Sequence, residues 1–517
     1  MDTKKLRQKL LDLAIHGKLV PQDPNDEPAS ELLARIREEK LAMVERGELK
    51  PKDVKGDTVI FTGSDGLPYE KRADGKDVAK CIEGEIPFEI PEGWNWARLQ
   101  SLSHVITDGD HQAPPQIASG IPFLVISNIA NGVICFDDTR FVPRTYFDEI
   151  KPQRVPQRGD LLLSVTGSYG IPAVVNTDRD FCFQRHIALI KPLLSANFLS
   201  RVVSSSYCSK WFDKKATGTA QKTVALSILR STLIPVPPLA EQRRIVDVLG
   251  KYLALVDGIE RDRAELDVLL AQLKSKVLDL AVRGELTERD QKDEPASELL
   301  ARIREDKLAM VARGELKPKD VKNDTVIFTG SDGLRYEKRA DGKGEAKCIE
   351  KEIPFEVPEG WSWSRMERLI LLTSGIDLAK ADYNSEHNGI PYITGASNFE
   401  NGSLIENRWT DKPKRISHRG DLLFTCKGTV GKMAINKFAS AHIARQVMAI
   451  NPYRGVDKLY LQQVLAWHVE TIRRKAKGFI PGIERGVLLK ALVPVPPLAE
   501  QRRIVRAIEA VISATSL

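Results

Sequence analysis

Apolar residues recur at alternating steps of four and three along 245–280: Ile245, Leu249, Tyr252, Val256 and Ile259, then, across Arg263, Leu266, Leu270, Leu273, Val277 and Leu280. That period predicts one continuous helix with a coiled-coil seam. Gly284 suits the left-handed residue that follows a helix. From Ile245 to Leu280 are 36 residues, roughly 54 Å at 1.5 Å each. The chain ends carry the same pattern in two pieces. Leu6, Leu10 and Leu13 match Leu273, Val277 and Leu280, while Ile504, Ile508 and Val511 match Ile245, Leu249 and Tyr252. The ends therefore read as an interrupted second copy of the helix. Antiparallel packing would set Leu6–Leu13 against its start and Ile504–Val511 against its end.

The match at the ends belongs to a larger internal repeat. Residues 26–67 recur as 293–334 with three changes in 42 positions: Glu39/Asp306, Glu45/Ala312 and Gly56/Asn323. An offset of 267 holds without a gap from Leu6/Leu273 to Leu99/Met366. A second block, Pro235 to Val246, recurs as Pro494 to Val505. Between the blocks, 103–230 and 370–489 keep only islands. Arg158-Gly159-Asp160-Leu161-Leu162 pairs with Arg419 to Leu423, Gly167 and Gly170 with Gly428 and Gly431, and Arg185 with Arg445. Equal frames around unequal inserts suit a scaffold presenting two different readers. A duplicated enzyme would match best in its chemistry, and here the middles match worst. Segments 26–50 and 293–317 read as short exposed helices, with Asp26 or Glu27 to cap and Pro28 in the first turn. Stretches 57–89 and 324–356 read as short strands with turns.

Composition narrows the function. The 517 residues carry a net charge of +7, but 103–238 hold +4 and 370–497 hold +8, leaving −5 for the rest. Positive charge in the variable inserts is where a polyanion reader would place it. Aromatics at 6% argue against a base-stacking platform. The six cysteines are scattered with no close CxxC pair, so a disulfide framework and a cysteine zinc site are not expected, and a reducing cytoplasm is. No apolar run approaches a membrane span, and the charged start lacks a signal-peptide core. Gly428-Thr429-Val430-Gly431-Lys432-Met433 has the outline of a phosphate loop, but Cys426 replaces its first glycine and Met433 its Ser/Thr. Asp108-Gly109-Asp110-His111 holds hard-metal chemistry and reads as a polar turn. No metal site, nucleotide site or catalytic residue is assigned.

The ordered motifs resemble a known family. Pro91-Glu92-Gly93-Trp94 and Pro358-Glu359-Gly360-Trp361 open the inserts, Arg-Gly-Asp-Leu-Leu and a Gly-x-x-Gly loop mark their middles, and Pro-Val-Pro-Pro-Leu-Ala-Glu-Gln-Arg-Arg-Ile-Val leads into a helix. The chain resembles the specificity subunit of type I restriction–modification systems over essentially its whole length. The resemblance implies an α/β (α+β) fold with two globular target recognition domains separated by long antiparallel coiled-coil helices in a pseudo-two-fold repeat. It implies 1–25 and 498–517 as pieces of the second spacer helix and 239–284 as the central one. The recognition domains are then 91–238 and 358–497, and the arms 26–90 and 285–357 exceed the minimal family pattern. It also implies double-stranded DNA, two modification subunits and restriction subunits as partners. S-adenosylmethionine, ATP and magnesium would sit on those partners, and no cofactor on this chain. A protein-binding scaffold without DNA, and a self-sufficient methyltransferase or nuclease, are the competing readings.

Base readout needs paired donors and acceptors, and phosphate contacts need cations. The candidates in the first insert are Asp108, Asp110, His111, Gln112, Thr166, Ser168, Tyr169, Lys214, Lys215, Thr219, Gln221 and Lys222. In the second they are Lys427, Thr429, Lys432, Arg473, Arg474, Lys475 and Lys477. Helix packing is assigned to Leu6, Leu10, Leu13, Ile245, Leu249, Tyr252, Val256, Leu273, Val277, Leu280, Ile504, Ile508 and Val511.

Overall fold

A computed structural model describes residues 2–130, 132–219, 221–475 and 482–515, with side chains at all of these except 472–475. The chain forms two compact units, Met1–Ala264 and Glu265–Leu517. The long helix Leu239–Arg283 contributes its first part to one and its second part to the other. Gly284 ends it with φ +74°.

The same elements recur in the same order in both units. In the first, the arm helix Ala29–Glu45 packs Leu32 and Ile36 inward and is followed by the antiparallel strands Thr58–Thr62, Pro68–Arg72 and Lys80–Cys81. In the second, helix Ala296–Ala312 precedes Thr325–Thr329, Arg335–Arg339 and Lys347–Cys348. Asp26 does not cap the arm helix; its carboxylate binds Arg244, as Asp293 binds Arg503. Each arm helix is anchored by a buried ion pair, Lys40–Asp57 at 2.7 Å and Lys307–Asp324 at 2.6 Å.

Each insert starts and finishes in one two-stranded ladder. Asn95–Arg98 pairs with Leu233–Val236, and Ser362–Arg365 with Leu492–Val495. The insert is thus a closed excursion whose contents can diverge while its ends stay fixed. Its core is a four-stranded antiparallel sheet. The strand order is Ser103–Asp108, Ile187–Pro192, Leu161–Ser164, Pro172–Val174 in the first unit, and Ile370–Ser374, Val447–Pro452, Leu422–Thr425, Met433–Ile435 in the second. A second small sheet carries a parallel pair in each unit, Cys182–Phe183 with Ile121–Leu124 and Ser440–Ile443 with Ile390–Ile393.

The repeated motifs form a lock. The Trp94 indole N–H donates to the buried Glu241 carboxylate at 2.9 Å, and Trp361 to Glu500 at 3.0 Å. Gln242 and Gln501 donate their amides to the carbonyls of Pro237 and Pro496. Gly17 and Gly284 admit the proline of Pro-Glu-Gly-Trp; a Cβ there would stand 2.3 Å from Pro91 Cγ and 2.5 Å from Pro358 Cγ. Insert, arm and helix are joined at this one place.

The helix pairing is antiparallel within each unit. Arg7, in helix Thr3–Ile15, bonds Glu260 at 2.8 Å and Asp257, whereas Gln22 reaches back to Glu241. In the second unit Ile508 and Val511 lie with Leu270 and Val277, while Ile504 shares the core with Val282. Ile245, Leu249, Val256, Val277, Ile504 and Ile508 are buried, and Leu280 and Val511 half-buried. The seam departs from expectation in two ways. Leu11, Ala14 and Ile15 are the buried face of the first helix, with Leu6, Leu10 and Leu13 only half-buried. Tyr252 and Leu273 are 46% and 40% exposed. Helix Thr3–Ile15 reaches past Tyr252, since Arg7 meets Asp257 and Glu260, but it is the neighbouring Leu253 that packs on the core; Leu273 lines a part-open groove with Ile508 and Val511.

Candidate nucleic-acid interface

In the first unit the candidates form two groups. Strand Ser103–Asp108 delivers Asp108 at the sheet edge, and the chain turns at Gly109, where a Cβ would stand 2.1 Å from the Phe183 carbonyl oxygen. That crowding presses 109–111 against 183–185, with the Arg185 amide donating to the Asp110 carbonyl at 3.1 Å. His111 Nε2 lies 2.9 Å from Asp108, and Arg154 lies 3.5 Å from Asp108 and 3.9 Å from Asp110. The Tyr146 hydroxyl donates to Asp110, and burial together with that carboxylate pushes its pKa up, so it stays a donor. His111 and Gln112 are exposed.

The second group is the turn after Leu161–Ser164. Gly167 N–H donates to the Lys222 carbonyl at 2.9 Å, and Gln221 lies beside Gly167. This lays 217–219 and 221–223 along the turn and gathers exposed Ser168, Thr219, Gln221 and Lys222. Tyr169 donates to Asp213 at 2.7 Å, next to exposed Lys214 and Lys215 at the end of helix Ser206–Lys215. Thr166 departs from its assignment. It is 5% exposed, and its hydroxyl bonds Thr223 at 3.2 Å, which makes it a support for the turn. Residues 184–187 join the groups, since Val165 N–H donates to the His186 carbonyl. Burial and the Arg185 cation hold the His186 pKa below its ordinary range.

In the second unit exposed Lys427 and Thr429 lie on the corresponding turn, which links two antiparallel strands and opens no helix. Lys432 is a correction. Its ammonium donates to the carbonyls of Ala396 and Phe399, both at 3.0 Å, so it ties the turn to a neighbouring segment. Arg473, Arg474 and Lys475 end helix Lys458–Lys475, but their side chains, and Lys477 altogether, lie outside the described residues.

Sheet register exposes residues the sequence reading missed. Asp108 faces Ala188, and Ser374 faces Met448, so Gly375 stands where Gly109 does. A Cβ on Gly375 would likewise stand 2.1 Å from a carbonyl oxygen, that of Ala444. Asp377 then occupies the place of His111. Its carboxylate holds the exposed Arg445 through Nε at 2.8 Å and accepts from the Arg445 amide at 3.1 Å. The Arg185/Arg445 match was the available signal.

The sequence profile of the type I restriction modification DNA specificity domain matches residues 91–267 and again 358–517. The chain belongs to the type I restriction–modification specificity subunits, with two DNA specificity domains. It is 25% identical to the type I restriction enzyme EcoEI specificity subunit of Escherichia coli, over 98% of this chain and 88% of that protein. It is 28% identical to the EcoAI specificity subunit of Escherichia coli, over 72% of this chain and 63% of that protein. The fold is similar to a chain from a structure on complex assembly and conformational transition of the type I R-M system. The TM-score is 0.54 at 21% identity, covering 83% of this chain and 93% of that one.

Both matched stretches of the specificity subunit begin at Pro-Glu-Gly-Trp and run through the insert into a helix. Their sheets share topology, and the same edge carries different side chains. In one domain it presents His111 on Asp108, with Arg154 nearby; in the other it presents Arg445 on Asp377. Carboxylates and imidazoles accept from base amino groups, whereas an arginine fork donates to guanine or phosphate. No described helix is long and apolar enough to cross a membrane, and no group of three or more His, Cys, Asp and Glu among the described residues is arranged to hold a metal ion.

Proposed function

We infer that each specificity domain reads one half of a bipartite site in double-stranded DNA, while the paired helices set the interval between the halves. The observation that carries this is one sheet edge, built twice with the same backbone and furnished with different donors and acceptors. The chain acts without a catalytic site of its own. It directs adenine methylation by two modification subunits and cleavage by restriction subunits. S-adenosylmethionine, ATP and magnesium are used on those partners, in the cytoplasm. The basic inserts favour this reading over a scaffold that binds only proteins. The test is co-expression with the modification subunit and mapping of methylated adenines. Two short sequence blocks with a fixed gap are expected, and a single continuous site would refute it.

A further inference from the structure

Both domains build their small sheet on the same parallel pair and finish it differently. Cys182 faces Phe123 in the first domain, as His442 faces Tyr392 in the second. In the second domain strand Ile416–His418 lies along Ser440–Ile443 and closes its free side. His442 is fully buried. Its Nδ1 accepts from the amides of Lys414 and Arg415 at 3.3 and 3.2 Å, and its Nε2–H donates to the Ile376 carbonyl at 3.0 Å. The imidazole thus bridges two chain segments and fills the space between them. Both segments have counterparts in the first domain. Ile376 follows Gly375 as Asp110 follows Gly109, and Arg415 precedes Arg-Gly-Asp-Leu-Leu by four positions, as Arg154 does.

The first domain has neither closure. Among the described residues, the sheet that holds Cys182–Phe183 contains only Ile121–Leu124 and Arg140–Val142 besides. A thiol stands where the imidazole would be, and a pocket of about 230 Å³ opens there, lined by residues that include Asp110, Tyr146, Ile150, Arg154 and Cys182. A cavity of about 150 Å³ takes up a benzene ring, so this space admits one aromatic heterocycle. Burial and the Asp110 carboxylate push the Cys182 thiol up to about 12, which makes it a neutral wall and no nucleophile. Tyr146 and Ile150 add apolar wall. The side chains of Asp110 and Arg154 are 37% and 35% exposed and set an acceptor and a donor fork 3.9 Å apart. The Tyr146 hydroxyl already orients that carboxylate. An acceptor beside a donor matches the pairing edge of a nucleobase, which carries a donor beside an acceptor. Lys151 and Arg154 also line a neighbouring cleft of about 680 Å³ with exposed Lys52 and Arg230, so phosphates flanking a base held in the pocket would meet cations.

Resting on the DNA reading inferred above, we propose that this pocket holds one nucleobase swung out of the duplex bound by the first domain. The second domain, with His442 in that place, holds none. Cys182 sets this difference between the domains by being too short to fill the pocket.

The test uses the full chain in complex with the modification subunit, on duplexes carrying the site mapped by methylation. Each base pair in the half read by the first domain is replaced in turn by a mismatch, which lowers the cost of extruding a base. One mismatch should tighten binding about tenfold or more in the unsubstituted chain and not in Cys182→His, which refills the pocket as the second domain does. Circular dichroism melting checks that the variant folds. Asp110→Asn, of the same size, carries the test independently and should reduce the same gain by removing an acceptor from the base edge. A scan with no gain, or one in which every gain survives both substitutions, would overturn the proposal. Titration with free cytidine and guanosine monophosphates distinguishes the source of the base. Their binding, lost in Cys182→His and unaccompanied by a mismatch gain, would overturn extrusion and give the pocket to a free nucleotide. A complex that binds no duplex at all would refute the DNA reading itself, and the mononucleotide titration would then decide the pocket by itself.

Discussion

The indole–carboxylate lock gives the sharpest test, because the two halves should respond differently to one substitution. Trp94→Phe and Trp361→Phe each keep an aromatic ring and remove the N–H that serves a buried glutamate. In the first half Glu241 keeps a second donor, since Gln22 Nε2 lies 3.2 Å from its other oxygen. In the second half the corresponding oxygen of Glu500 has no partner among the described residues, so the carboxylate loses its one described hydrogen bond. A hydrogen bond to a charged group contributes about 1.5–3 kcal/mol, and a buried charge left unpaired costs more. We expect about 2 kcal/mol for Trp94→Phe and about 3 kcal/mol or more for Trp361→Phe. Burial holds both glutamates above the ordinary carboxylate range. The folded state therefore takes up their protons more readily than the unfolded state, and stability from these groups is greatest at low pH and falls as pH rises. The variants should accordingly suffer less as the medium is acidified and the orphaned carboxylate takes a proton. Two units need not unfold together, so a single melting curve is a poor readout. Hydrogen exchange resolved to 239–250 and 498–509 reads each lock separately. Equal losses in both halves, or a penalty that grows on acidification, would refute the reasoning.

Arg185→Ala and Arg445→Ala, made singly, should each lower the slope of log affinity against log salt by about one if the arginines meet phosphate; an altered methylation sequence with an unchanged slope would assign them to base reading instead. Lys307→Ala should cost about 3–5 kcal/mol by stranding Asp324, with Lys307→Met/Asp324→Leu recovering most of it in calorimetry; a single variant within about 0.5 kcal/mol of the parent contradicts this. Hydrogen bonds from Arg98 and Arg365 hold Glu85 and Glu352 below the ordinary carboxylate range. Their contribution is present above the unfolded value of about 4.3 and is lost as pH falls through the folded values, so exchange in 58–72 and 325–339 should accelerate below about pH 4; protection unchanged to about pH 3 counts against it.

What the sequence discloses here depends on whether a residue's role is periodic, repeated or three-dimensional. The long helix is periodic, and the frame is repeated, so both are visible as spacing and offset. The seam's depth is not, because a heptad reports where a stripe lies and nothing about how closely the partner packs on it. Hence Tyr252 and Leu273 carry the right pattern and stay exposed, while Leu253, beside Tyr252, packs on the core. The site suffers from a related ambiguity. A charge census treats every lysine as free, yet Lys432 spends its donors on two carbonyls, and Thr166 lends its hydroxyl to Thr223. Conversely, the sequence does not mark Asp377, because the offset of 267 fails inside the inserts. There the relation of the halves is held by strand register, which pairs Ser374 with Met448 as it pairs Asp108 with Ala188. Register also explains how such divergence is tolerated. The ladders 95–98/233–236 and 362–365/492–495 close each insert on the same frame, so side chains at the sheet edge can change without disturbing the helix that follows. On the proposed function, a chain built this way could exchange what each domain reads without changing its frame, provided that the Trp–Glu lock at the junction stays intact.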